Sequence, residues 1–319
     1  MRNLKSLGIL FMFLIPALAI GQKKAEKDTV KVFLLAGQSN MDGYGYNKDL
    51  PSNLKSKFKN VWIFHGNSAA DDQVEGGSVG QWEQLQPGHG VGFTATEKKN
   101  NHADRFGLEM TFAKKLQELY PNEKIALIKY SRGGTSIDSM AARYAGCWTP
   151  DFDGKTGINQ YDHALATIRN AYSVKDIDGD GKEDILKPAG ILWMQGESDG
   201  DYNEEVAYRY HDNLKQLMDL LRASLLTDDL PVVIGKITDS FNDKEDGAVW
   251  NYGDIVRYAQ EKFVRTDSKA AIVRTTKFYE YSDPWHYTSA GYIDMGEQFA
   301  IKMYELMEGK PETPAKEVE

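Results

Sequence analysis

The sequence predicts an α/β fold built on a parallel sheet, and three observations carry that prediction. Five short apolar runs, rich in branched and aromatic residues, recur along the chain. Segments with helical periodicity separate most of them, and strand–helix alternation of this kind implies right-handed crossovers and a parallel sheet covered on both faces. A length of 319 residues fits one large domain or two small ones, with ample chain for a real core, and 41% hydrophobic and 27% charged residues are an ordinary globular composition.

The strands are predicted at 32–36, 125–130, 190–194, 232–237 and 271–274, five in all. The first reads Val-Phe-Leu-Leu-Ala, too short for a helix and fully apolar, as a strand buried on both faces requires. Helices are predicted over 106–119, 161–172, 204–225, 252–264 and 289–307. In the first of these Phe106, Met110, Ala113 and Leu116 recur at three- and four-residue spacing; in the last, Ile293, Phe299, Ala300, Met303 and Met307 share one face. Two stretches break the rhythm, 42–104 and 131–160. Both leave the carboxyl ends of predicted strands, where binding loops belong, and both are read as loop insertions.

The ends of the chain read differently. Arg2 and Lys5 precede an almost wholly apolar stretch, and Ala19 and Gly21 place small residues before Gln22, the pattern of a signal peptide over 1–21 cleaved near Gly21. That stretch is too short for a comfortable membrane span, so the remaining chain is expected to be exported, periplasmic or secreted, without one. The main domain is then 22–309, followed by a charged, proline-containing tail, 310–319, expected to be disordered. Cys147 is the only cysteine, so no internal disulfide is possible, and it reads as a packed residue rather than a reactive thiol. A formal net charge of −9 without a Lys/Arg block argues against a nucleic-acid partner.

Chemistry concentrates at the predicted strand ends. Gly37-Gln38-Ser39-Asn40-Met41 follows the first strand, placing a serine after a glycine turn at the sheet's carboxyl edge, where open α/β sheets bind their ligands. It differs from the G-x-S-x-G elbow, since Met41 stands where the second glycine would be. An activated serine needs a base and the base an orienting acceptor. Of six histidines, His163 and His211 lie in helical patterns, while His65, His89 and His102 belong to the glycine-rich insertion and are candidates for substrate contact. His286 sits in Ser282-Asp283-Pro284-Trp285-His286, with Asp283 three residues earlier in a compact loop before the last helix. Acyl transfer also builds an oxyanion that needs preorganised donors. Ser131-Arg132-Gly133-Gly134-Thr135 offers the Gly134 N–H, and Gln195-Gly196-Glu197-Ser198-Asp199 offers the Gln195 amide.

In this order the four blocks resemble the SGNH hydrolase superfamily, and within it the sialate O-acetylesterase-like (SASA) and carbohydrate esterase family 6 branch. The resemblance spans about residues 30–305. It implies a three-layer α/β/α sandwich, flavodoxin-like, with a central five-stranded parallel sheet and serine esterase chemistry on acetylated sugars without a cofactor. Carried over by position, Ser39 is the nucleophile, His286 the base and Asp283 its orienting acid. The Ser39 N–H, Gly134 and Gln195 form the oxyanion hole, and Gln38, Asn40, Glu197 and Arg132 support the site or touch substrate. Glu109 also resembles a branch motif, with Leu108 standing where that motif usually has proline.

A second loop, Asp176-Ile177-Asp178-Gly179-Asp180-Gly181-Lys182-Glu183-Asp184, follows D-x-D-x-D-G-x-x-D, the oxygen-ligand spacing of an EF-hand calcium loop. Lys187 replaces the bidentate glutamate, so a structural Ca²⁺ held by Asp176, Asp178, Asp180, Lys182 and Asp184 competes with a plain acidic turn. The leading expectation is an acetylesterase acting on acetylated xylan, another glycan or O-acetyl sialic acid. Its rivals are an SGNH lipase or thioesterase and a non-catalytic, Ca²⁺-assisted glycan-binding protein. Trp62, His65, Asn67, Trp82, Gln84 and His89 of the insertion favour sugar over an apolar acyl chain, and Arg105, Arg132 and Arg143 are candidates for a sugar carboxylate.

Overall fold

A computed structural model describes residues 28–67, 69–77 and 79–310; the expected signal peptide, 1–21, and residues 311–319 of the expected tail lie outside the described residues. The chain enters through β1 (Thr29–Gly37) and a single helical turn, α1 (Ser39–Asp42). The first insertion follows, with β2 (Gly45–Tyr46), β3 (Val61–His65), α2 (Val74–Gly77), β4 (Glu83–Gln84), β5 (Thr94–Ala95), β6 (Asn100–Asn101) and β7 (Arg105–Phe106). Then come α3 (Glu109–Leu119), β8 (Lys124–Ser131), α4 (Gln160–Ser173), β9 (Ile185–Met194), α5 (Glu197–Tyr202) and α6 (Glu204–Ser224). The chain closes with β10 (Val232–Gly235), α7 (Gly253–Thr266), β11 (Ala270–Val273) and α8 (Ser289–Met307).

All five predicted strands pair in parallel, in the order β11-β10-β9-β1-β8, but the sheet does not stop there. β3, inside the segment read as irregular, pairs in parallel with β8, and the two-residue β4 closes that edge antiparallel to β3, making seven strands. Val61-Trp62-Ile63-Phe64 is itself a short apolar run, and all four residues are buried. Its glycine- and asparagine-rich surroundings hide it from a periodicity criterion, because a five-residue strand buried on both faces has no period to show.

Two helical layers follow from strand alternation. On one face Phe33 meets Phe112 of α3 edge-on at 5.3 Å, and Cβ atoms added at Gly190 or Gly235 would strike Met303 or Phe299 of α8. Met194 lies on that face against Gly235, so Trp193 lies on the other. There Trp148 of the second insertion packs edge-on against Trp193 at 5.0 Å and against Tyr130, which also meets His163 of α4. α6 and α7 pack on each other. Cys147 is fully buried and burial pushes its thiol up to about 11, in keeping with a packed residue. Lys310, expected to begin a disordered tail, instead caps α8. Its N–H donates to the Glu305 carbonyl at 2.8 Å, and its ammonium lies over the Tyr304 ring. Among the described residues no helix is long and apolar enough to cross a membrane.

Candidate active site

β1 runs between β8 and β9, where the order of strands reverses, so its carboxyl end opens into the crevice such sheets use for ligands. Gly37 makes the exit possible. Its φ is +146°, and a Cβ there would lie 2.1 Å from the Met194 carbonyl oxygen, so only glycine lets β1 turn this close to β9. The Gln38 N–H then donates to that carbonyl at 2.9 Å, and α1 begins at Ser39. Ser39 lines a cleft of about 550 Å³ together with Gly133, Gly134, Arg132, Tyr144, Trp285 and His286. The four strand-end blocks therefore converge in one place, apart from the Gln195 side chain.

The His286 ring is held on two sides. Nδ1 lies 2.8 Å from Asp283 Oδ2, and Tyr44 stacks on the imidazole at 3.5 Å with planes 7° apart. The second carboxylate oxygen of Asp283 accepts the backbone N–H groups of Trp285 and His286, each at 2.8 Å. Burial pushes the Asp283 carboxyl up, but these bonds and the imidazole outweigh it and hold the group below its ordinary range. With Nδ1 occupied, Nε2 is the nitrogen left for the cleft. Ser39 and His286 share the cleft wall with no direct hydrogen bond between them among the described residues. Catalytic bonds often close only around substrate.

Asn40 ties this machinery together. Its amide donates to Glu197 Oε1 at 2.8 Å and to the Trp285 carbonyl at 3.2 Å, while its oxygen accepts from Tyr292 at 2.7 Å. One side chain beside the serine thus joins α1, α5, α8 and the histidine loop. Glu197 is buried with one oxygen unpartnered, and burial pushes its carboxyl up to about 7 against the Asn40 bond. Gln38 faces the same helix end, its oxygen accepting long bonds from the Gly196 and Ser198 N–H groups at 3.4 Å.

Gln195 departs from expectation. Its side chain is fully buried, and its amide donates to Asp199 Oδ2 at 2.6 Å and the Thr135 carbonyl at 3.1 Å, while its oxygen accepts from Tyr210 at 3.0 Å. Both amide hydrogens are occupied inside the protein, and the residue does not line the cleft, so it braces the loop after β8 instead of facing a developing oxyanion. Asp199 completes that brace by accepting the Ile137 and Asp138 N–H groups, and burial pushes it up to about 6. Gly134, at φ +74°, does line the cleft, and its N–H makes no hydrogen bond among the described residues.

Asp42, which no motif singles out, also belongs to the site. Its carboxylate accepts the Ser131 hydroxyl and, at 3.0 Å, the Gly133 N–H, clamping the Gly133–Gly134 turn to the end of α1. Burial raises its pKa, opposed first by the Ser131 bond. The clue was its position three residues after Ser39, one helical turn along. Glu109 acquires a role as well. It forms a fully enclosed ion pair with Lys129 at 2.9 Å, and the same ammonium donates to the carbonyls of Asp42 at 2.8 Å and His89 at 2.7 Å.

The aromatic and polar residues picked from the first insertion are elsewhere. Trp62 is buried in β3, Trp82 packs on Phe64 with its N–H on the Ala171 carbonyl, and none of Trp62, His65, Asn67, Trp82, Gln84 and His89 lines the cleft with Ser39. The exposed aromatics at the cleft are Tyr144, 82% exposed, and Trp285, 51% exposed. Arg132 and Arg143 line it too, Arg143 paired with Asp201, whereas Arg105 is drawn to the Tyr44 carbonyl and the Tyr46 ring.

In the acidic loop Asp176, Asp178 and Asp180 bring carboxylate oxygens within 4.8 Å of one another. Asp176 caps the N–H groups of Gly179 and Gly181, at 2.7 and 2.9 Å. The Lys124 ammonium lies 2.6 Å from Asp178 and the Lys182 ammonium 3.0 Å from Asp180, while Asp184 turns to the Ile177 N–H at 2.9 Å.

The family model described as carbohydrate esterase, sialic acid-specific acetylesterase (SASA) matches residues 29–305. Among solved structures, a protein of Arabidopsis thaliana is 22% identical, with 86% of this chain and 98% of that one covered and a TM-score of 0.61. A carbohydrate acetylesterase from Xanthomonas citri is 16% identical over 88% of this chain and 57% of its own, with a TM-score of 0.59. NanS is also 16% identical, over 89% and 99%, with a TM-score of 0.59. At these identities the likeness is one of fold. No curated protein sequence matches the chain.

Proposed function

The chain belongs to the sialic acid-specific acetylesterase (SASA) family of carbohydrate esterases and is a carboxylic ester hydrolase, and we propose that it removes O-acetyl groups from carbohydrates through Ser39, His286 and Asp283. The observation that carries this reading is the His286 ring, fixed between Asp283 and Tyr44 on the wall of the cleft that Ser39 lines. An imidazole so held has one tautomer suited to general-base work, with Nδ1–H on the carboxylate and Nε2 free.

Ser39 Oγ attacks the acetyl carbonyl as His286 Nε2 takes its proton. The charge that develops on the carbonyl oxygen meets the N–H groups of Ser39 and Gly134; one such donor is worth about 3–4 kcal/mol in the transition state. The tetrahedral intermediate collapses, the bond to the sugar oxygen breaks, and His286 returns the proton to that oxygen. Water then attacks the acetyl-Ser39 ester with His286 as base, releasing acetate and restoring the serine. Tyr144 and Trp285 offer flat apolar faces to a sugar ring, and a cleft edged by Arg132, Arg143 and Asp201 suits a polar substrate better than an acyl chain. The polypeptide works outside the cytoplasm, after cleavage near Gly21.

The test is acetate release from acetylated xylan, other acetylated plant glycans and O-acetyl sialosides. Wild type is expected to release acetate from at least one of them, and Ser39→Ala, folded as judged by an unchanged melting temperature, from none. A fully active Ser39→Ala removes the proposed nucleophile. Glycan binding without hydrolysis would make the protein a lectin on an esterase scaffold, and preference for long-chain acyl esters would make it a lipase.

A further inference from the structure

Outside the cleft, three side chains of the first insertion bring nitrogen and carboxylate donors to one point. His89 Nε2 lies 3.5 Å and His102 Nε2 2.9 Å from Glu83 Oε1, and all three atoms fall within 4.8 Å of one another. From this juxtaposition we infer that Glu83, His89 and His102 form a binding site for a divalent transition-metal ion of the zinc class. Donors about 2.0–2.1 Å from a tetrahedral ion lie about 3.3 Å apart, between the two separations seen.

The independent observation is His89. Its side chain has no solvent exposure, and its Nε2 is a buried polar atom without a hydrogen-bond partner, aimed at the Glu83 carboxylate from beyond hydrogen-bond range. Such an orphan destabilises the fold unless something meets it. Its other nitrogen is accounted for, since Nδ1 lies 3.4 Å from His65 Nδ1. A proton on His89 Nδ1 shared with His65 leaves the Nε2 lone pair pointing at the cluster, the arrangement by which a second imidazole or carboxylate orients a metal-binding histidine.

The carboxylate is oriented as well. Asn100 donates to Glu83 Oε1 at 2.5 Å and Gln86 to Oε2 at 2.7 Å. Gln86 also contacts His102 Nε2 at 3.1 Å, a contact the metal would replace. The His102 side chain is 32% exposed, so the cluster is open to ions from solvent on one side and closed by His89 on the other. Two imidazoles and one carboxylate favour zinc-class ions over calcium or magnesium, which take oxygen ligands.

The consequence is mechanical. Glu83 belongs to β4 at the sheet edge, while His102 follows β6, and a shared ion would cross-link them to His89. The His89 carbonyl receives Lys129, and Val91, two residues on, lines the cleft. The ion would therefore stiffen one wall of the cleft without touching the reacting atoms.

Full-length protein stripped with chelator and titrated with Zn²⁺, and separately with Co²⁺, tests this. Wild type is expected to bind one equivalent at micromolar metal, to melt several degrees higher with it, and to give the visible absorption of four- or five-coordinate cobalt. His102→Ala removes a half-open surface ligand, and Glu83→Gln keeps the carboxylate's shape; each should fold, weaken binding more than about tenfold and lose the rise in melting temperature. Absence of binding at tens of micromolar metal overturns the inference. So does binding that survives in both variants, because the ion then sits elsewhere.

Discussion

Replacing Glu109 by glutamine removes one charge from an enclosed ion pair and leaves its partner behind. Both side chains are fully buried, and the Lys129 ammonium has three acceptors, Glu109 Oε2 and the carbonyls of Asp42 and His89. Removing one member of such a pair typically costs about 3–5 kcal/mol, because the remaining charge stays desolvated without its counter-charge. Glutamine keeps an oxygen within reach and the two carbonyls remain, so the lower end, about 3 kcal/mol, is expected. For a domain of this size that lowers the melting temperature by about 5 °C. Equilibrium unfolding in urea measures it, with a lower midpoint at an unchanged slope. A loss below about 1 kcal/mol would mean that water reaches the pair and that the charge left on Lys129 is not desolvated. The double change Glu109→Leu with Lys129→Met supplies the control. It removes both charges but also the donor to the Asp42 and His89 carbonyls and the acceptor of the Gly107 N–H, so it should recover part of the lost stability at most. Because Lys129 also holds the end of α1, the single variant should lose some activity below its melting transition.

Asp283→Asn should lower kcat about 10²–10⁴-fold with KM little changed, by unseating the tautomer of His286; steady-state kinetics on a small acetate ester decides, and a loss below tenfold would mean that Tyr44 and the loop suffice. Burial raises Glu197 from 4.5 to about 7, so between those values the folded chain keeps a proton that the unfolded chain has released, and stability falls as pH rises through that window. The full fall attributable to Glu197 is about 3 kcal/mol. Unfolding free energies from pH 5 to 8 should be flatter in Glu197→Gln, and parallel curves would count against it. Tyr144→Ala should raise KM severalfold on acetylated oligosaccharides and leave it unchanged on p-nitrophenyl acetate; equal effects on both would place Tyr144 outside sugar recognition.

The strands and the site blocks were legible for the same reason. A strand buried on both faces is a short apolar run, and the residues that follow it at the sheet's carboxyl edge must turn, so Gly37, Gly134 and Gly196 mark where Ser39 and its neighbours emerge. Asp283 and His286 were readable because their contact is local, three residues apart in one loop. What escaped depends on partners remote in the chain. Gln195 is a chemically suitable amide, yet the Thr135 carbonyl, 60 residues away, draws it inward together with the nearer Asp199 and Tyr210. Asp42 reveals its role only when Ser131 and Gly133 arrive beside it. The aromatic residues of the first insertion resemble a sugar platform in composition, but two of them build β3 and its packing, a use that composition does not distinguish.

The position of β1 also sets the order in which the molecule can be assembled. Val30 pairs with Lys124 on one side and Leu186 on the other, about 95 and 155 residues further along the chain. The strand that leads into the serine is made before either neighbour and finds the second only after about 155 further residues have been made. Until then the run from Val32 to Ala36 lacks at least one of its two neighbours, so the nascent chain is exposed to misassociation for longer than a chain of local hairpins. Refolding should be slow for the same reason, and the active site, which needs both flanking strands, should be among the last parts to form.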